Sequence, residues 1–132
     1  LSEIDISEVS DFSYLFKDSN RSDFSGIEDW DVSHVTNMSA MFQGATNFNQ
    51  PLNNWDVSNV TDMSYMFYDA TSFNQSLDNW NVSNVKNMKN MFFSGADLGG
   101  ILGLARAISA VGVSNTIGTG AKQQLPKWYK NN

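Results

Sequence analysis

Apolar residues in this chain follow two spacings in turn, and the switch between them recurs every 25 residues. Trp30 and Val32, Trp55 and Val57, and Trp80 and Val82 alternate with polar residues, the period-two pattern of a half-buried strand. Farther along each unit, Met38, Met41, Phe42 and Ala45 fall at i, i+3, i+4 and i+7, as do Met63, Met66, Phe67 and Ala70. That spacing predicts one face of a short helix, with Thr36 or Ser39, and Thr61 or Ser64, placed to cap its first free N–H groups. The segment FNQPLNN, with Pro51 and several asparagines, reads as an irregular return to the next strand.

The units are nearly verbatim copies. Residues 30–54 and 55–79 are identical at 17 of 25 positions; a third copy starts at Trp80, and a more divergent one at Ile4 runs one residue longer before reaching Trp30. The differences fall at 34, 37, 40, 43, 44, 47, 51 and 53, where the residue is polar, small or turn-like in at least one copy, while the apolar positions do not change. A unit of this length cannot bury a core alone, so the copies are expected to stack with parallel strands about 4.8 Å apart. Identical residues would then form ladders: Trp30, Trp55 and Trp80; Phe48 and Phe73; Met38, Met63 and Met88.

The recurring W-x-V-S-x-V-T-x-M-x-x-M-F-x-x-A-x-x-F-N-Q-x-L resembles the repeats of bacterial surface proteins and mycoplasma lipoproteins, a family of mostly unknown function related to BspA-type leucine-rich repeats. The BspA-type spacing can be followed through Leu52, Trp55, Val57, Val60, Thr61, Met63, Phe67, Ala70 and Phe73, with alanine where cysteine often stands. The resemblance implies an α/β repeat fold: a right-handed leucine-rich-repeat-like solenoid of short parallel strands and short helices, found on microbial surfaces or secreted, and associated with adhesion or protein binding. It implies no catalytic residues.

The pattern divides the chain into a solenoid of about four 25-residue repeats over 1–97 and a non-repeat C-terminal cap or appendage over 98–132. A helix from about Leu98 to Val111 would align Leu98, Ile101, Leu102, Ala105 and Ile108 over Met88, Met91 and Phe92, closing the core as a helical C-terminal cap, with Gly112 near its end. Residues 98–113 are apolar nearly all round, so weak self-association through them is also expected. With Arg106 at their centre they are too short and too polar to span a membrane.

Charge is distributed unevenly. All 14 acidic residues lie at or before Asp97 with four basic ones, about −10, whereas 98–132 holds Arg106, Lys122, Lys127 and Lys130 and no acid. An acidic body argues against a nucleic-acid partner, which a basic footprint would attract. The chain has no cysteine, hence no thiolate nucleophile or thiolate zinc site, and its single histidine, His34, replaces Asn59 and Asn84 at a variable turn position. GGILG and GTG lack the lysine and strand context of a phosphate loop. The reading is therefore non-enzymatic, with no cofactor and no catalytic or metal site.

If Trp and Val point inward, the alternate residues form outward rows: Asp29, Asp31 and Ser33; Asn54, Asp56 and Ser58; Asn79, Asn81 and Ser83. Such a polar, mildly acidic face suits a protein partner, or weak calcium coordination through oxygen. The alternative is a structural spacer or stalk with no specific ligand.

Overall fold

The computed structural model describes residues 1–92 and, beyond them, two short strands, β1 (Ala107–Ile108) and β2 (Lys130–Asn131). These two pair antiparallel, Ala107 opposite Asn131 and Ile108 opposite Lys130. The backbone at Ala107–Ile108 is thus extended where a helix through Val111 was expected; a short apolar run does not by periodicity alone distinguish helix from strand. The rest of the expected cap lies outside the described residues.

Through residues 1–92 the units are bonded to one another one repeat apart, in parallel register. Single bridges join Asp11 to Asn37, Asn37 to Asp62, and Asp62 to Asn87. On the N-terminal side of each bridge the amide reaches back one unit: Thr36 N–H donates to Ser10 O (2.9 Å), Thr61 N–H to Thr36 O (2.8 Å) and Lys86 N–H to Thr61 O (2.7 Å). On the other side the direction reverses. The amides of Met38, Ala40, Phe42 and Gly44 donate forward to the carbonyls of Asp62, Ser64, Met66 and Tyr68, and those of Met63, Tyr65 and Phe67 to Asn87, Lys89 and Met91.

The parallel pairing expected at Trp-x-Val therefore occurs several residues later, as one bridged residue per unit. The expected helix over Met38–Ala45 is a chain of turns: the alternate amides close locally, Met41 to Met38 O, Gln43 to Ala40 O and Ala45 to Phe42 O. Two left-handed residues explain why no helix forms. Ala40 (φ 54) and Gly44 (φ 69) stand third in successive four-residue turns, where a positive φ closes the chain and an α-helix cannot continue. The geometry recurs at Tyr14 and Asp18, Tyr65 and Asp69, and Asn90. The Met/Phe spacing still marks one apolar face, but the amides that a helix would bond internally are spent on the next unit. Among the described residues the one helical element is the 3₁₀ turn Ile27–Asp29.

A single apolar cluster runs from Phe12 to Phe92 through every unit. Its spine is a column of near-parallel phenylalanines: Phe16, Phe42, Phe67 and Phe92 follow one another at 5.7, 5.6 and 5.6 Å between ring centres. Phe48 and Phe73 stack beside it, 5.5 Å from each other and 3.8 and 4.2 Å from Phe42 and Phe67. The tryptophans are buried as expected, but their ring contacts among the described residues are to phenylalanines: Trp30 to Phe12 and Phe16, Trp55 to Phe42, Trp80 to Phe67. The buried indole N–H groups each find a carbonyl 28 or 29 residues earlier, Leu1 O for Trp30 (2.9 Å), Ile27 O for Trp55 (3.0 Å) and Leu52 O for Trp80 (2.8 Å). No helix among the described residues is long and apolar enough to cross a membrane.

Candidate functional site

Burial of Trp and Val turns their sequence neighbours outward. Asp29, Asp31, Asn54, Asp56, Asn79, Asn81 and Ser83 are exposed, and Ser33 and Ser58 half-exposed. The rows rest on a repeated side-chain turn. Asp31 Oδ1 accepts Ser33 N–H (3.0 Å) and Ser33 Oγ–H (2.6 Å), Asp56 Oδ1 accepts the same pair from Ser58 (3.0 and 2.6 Å), and Asn81 Oδ1 accepts Ser83 N–H (3.1 Å). Asp5 and Ser7 repeat it in the first unit. These are Asx turns, which any aspartate or asparagine two residues before an amide can make; they fix the carboxylate's direction without consuming its second oxygen.

The serine hydroxyls and amides stabilise the charged form. Hydrogen bonds from Ser33 hold the Asp31 carboxyl below its ordinary value, and those from Ser58 do the same for Asp56, against a small upward push from the neighbouring Asp31 charge. Asp5 is lowered likewise, chiefly by the Ser7 amide. The row stays ionised at neutral pH. Among the described residues no three His, Cys, Asp or Glu side chains gather in reach of one metal ion.

At the N-terminal end Asp29, Asp31 and Ser33 converge with Asp5, Ser7, Trp30 and His34 around an open groove of about 460 Å³. His34 is half-buried, and its Nε2 lies 3.0 Å from Ile6 O in the preceding unit. Asn59 and Asn84 at the matching positions donate to Ser33 O (2.7 Å) and Ser58 O (2.6 Å). The imidazole thus takes over an inter-unit bond of the asparagines, a role that the isolated replacement of Asn by His did not disclose.

A second depression, about 360 Å³, was not anticipated. Tyr14 and Tyr65 wall it, with Ser39, Ala40, Gln43, Asp62 and Ser64 between them. Its signal in the sequence is the variation between copies at 40 and 43, where Ala and Gln stand at the positions that Tyr65 and Tyr68 occupy in the next unit.

The model of a family described as Mycoplasma protein of unknown function, DUF285, matches residues 1–100. No curated protein and no solved structure matches the chain.

Proposed function

We propose, from the premise that the chain belongs to the DUF285 family of Mycoplasma proteins of unknown function, that it is a binding module whose exposed acidic row engages a basic segment of a partner protein. The observation that carries this reading is the recurrence of one oriented, ionised carboxylate per unit at Asp5, Asp31 and Asp56, continued by Asn81. One anionic position per unit makes a row of negative charge that attracts a cationic segment. The unit-to-unit bonding and continuous core support a leucine-rich-repeat-like solenoid; the BspA-type relationship, a place on a microbial surface or among secreted proteins, and a role as an adhesion or protein-binding element belong to this proposal through the sequence resemblance alone. No catalytic step is assigned.

A spacer with no ligand is the rival, favoured by the fact that each carboxylate is already anchored by its own serine. Asn81 supplies the variant that separates the two, because it keeps the turn without the charge. Asp31→Asn with Asp56→Asn should keep both turns and removes two of the three oriented charges, leaving that of Asp5. Titration with an arginine-rich peptide at low and physiological salt should show salt-sensitive binding by the native chain and a loss of at least roughly tenfold, about 1.4 kcal/mol, in the double variant. Equal binding by both chains, or none by either, removes the acidic row as a docking surface.

A further inference from the structure

The depression between Tyr14 and Tyr65 departs from the repetition around it. The left-handed position that it is built on carries Tyr14, Ala40, Tyr65 and Asn90 in successive units. Each of the first three has a φ between 54° and 63°, so the backbone is alike and only the side chain changes. Alanine at the second unit removes a ring between two tyrosines. Ala40 becomes the floor, screened to 3% exposure, while Tyr14 stands 60% exposed as one wall. Tyr65, held 5.5 Å from the Tyr68 ring, is the other. The walls stand two units apart, and over the same two steps the rings of the phenylalanine column advance 5.7 and 5.6 Å.

Polar groups of the right kind line the gap. Gln43, Ser39 and Asp62 border it. Asp62 Oδ1 is engaged by Ser64 N–H and Oγ–H (2.8 and 2.7 Å), which turns the carboxylate into a fixed acceptor. Two tyrosines, an amide, a hydroxyl and an oriented carboxylate form a mixed apolar and polar lining, and 360 Å³ lies at the lower end of the ~300–1,000 Å³ typical of small-ligand sites.

We infer that the gap at Ala40 is a subsite for one neutral pyranose unit of a glycan. A pyranose presents apolar C–H faces to an aromatic wall and hydroxyls to acceptors and donors at its rim, the two chemistries found here together. Anionic sugars and phosphorylated ligands are disfavoured by Asp62 and by an acidic body. A planar nucleobase would need closer walls to touch both rings. This subsite uses none of the residues of the Asp31 and Asp56 row, and it stands or falls independently of it.

The test is saturation-transfer difference NMR on the full chain with the methyl glycosides of glucose, galactose, mannose and N-acetylglucosamine, and with adenosine as the planar competitor. The expected result is saturable transfer to ring C–H protons of at least one glycoside. Tyr14→Ala and Tyr65→Ala should each weaken it roughly tenfold, and Tyr14→Phe should retain it. The decisive variant is Ala40→Tyr, which restores the residue of the flanking units, so the fold tolerates it; binding should vanish with the melting temperature unchanged. Chitohexaose and a glycopeptide bearing a neutral glycan then distinguish a polysaccharide source from a glycoprotein one. Undiminished binding in Ala40→Tyr, preference for adenosine, or no transfer to any glycoside overturns the inference. The Asp31→Asn and Asp56→Asn double variant should bind glycosides as the native chain does.

Discussion

The indole N–H of Trp55 donates to the backbone carbonyl of Ile27 across 3.0 Å, and the same carbonyl takes the amide of Trp30 at 3.1 Å. One oxygen thus ties together the tryptophans that open the two units after it. Leu52 O does the same for Trp55 and Trp80. A carbonyl has two lone pairs, so the arrangement satisfies a buried donor without depriving a neighbour.

Trp55→Phe keeps a ring and deletes the donor, while Ile27 O retains its second partner. It should cost about 1 kcal/mol, whereas Trp55→Ala, which also empties the core, should cost about 3–5 kcal/mol. Urea midpoints measure both. Equal losses would show that the bond, rather than the packing, accounts for the conservation of this side chain between copies.

Phe67 touches the rings of Phe42, Phe73, Phe92 and Trp80. Phe67→Leu should therefore cost more than the same change at Phe16, which is only half-buried at the start of the column. Roughly 1–3 kcal/mol is expected at Phe67 from lost volume and ring contacts. Thermal or urea unfolding of the two variants checks the order.

Two glycines should behave differently when given a Cβ. At Gly44 (φ 69) the added carbon meets the Asp18 carboxylate end, a side chain that can move, so the cost is mainly conformational, about 1–2 kcal/mol. At Gly26 (φ 97) it would lie 2.5 Å from the backbone nitrogen of Ser2, which cannot move without disturbing the first unit. Gly26→Ala should destabilise more than Gly44→Ala; the reverse order in denaturant would contradict the geometry.

Acid should weaken the fold through the Asx turns. Asp31, Asp56 and Asp5 have folded values below the ordinary 3.8 because the ionised form accepts serine hydrogen bonds. Their contribution is fully present above that value and is lost as pH falls through the lower folded one. Urea midpoints between pH 6 and 2 should drop below about pH 4, and the drop should be shallower in the Asp31→Asn, Asp56→Asn double variant. Parallel pH curves for the two chains would assign acid sensitivity to other carboxylates.

The sequence by itself determined the unit, its boundaries and its inward face. A 25-residue copy with unchanged Trp, Val, Met and Phe positions can be laid on its neighbour in one register, and Trp55, Met63 and Phe67 are buried as that alignment requires. Local chemistry was legible too, since Asp-x-Ser and Asn-x-Ser make their own turns. Tertiary structure decided where the backbone hydrogen bonds go. The spacing of Met38, Met41, Phe42 and Ala45 satisfies a helix and a chain of turns equally well, and the choice falls to the turns because alternate amides reach the next unit's carbonyls. The tyrosine-walled gap belongs to tertiary structure for the same reason: Tyr14 and Tyr65 are 51 positions apart in the chain, and only stacking, together with the missing ring at Ala40, makes them two walls of one space.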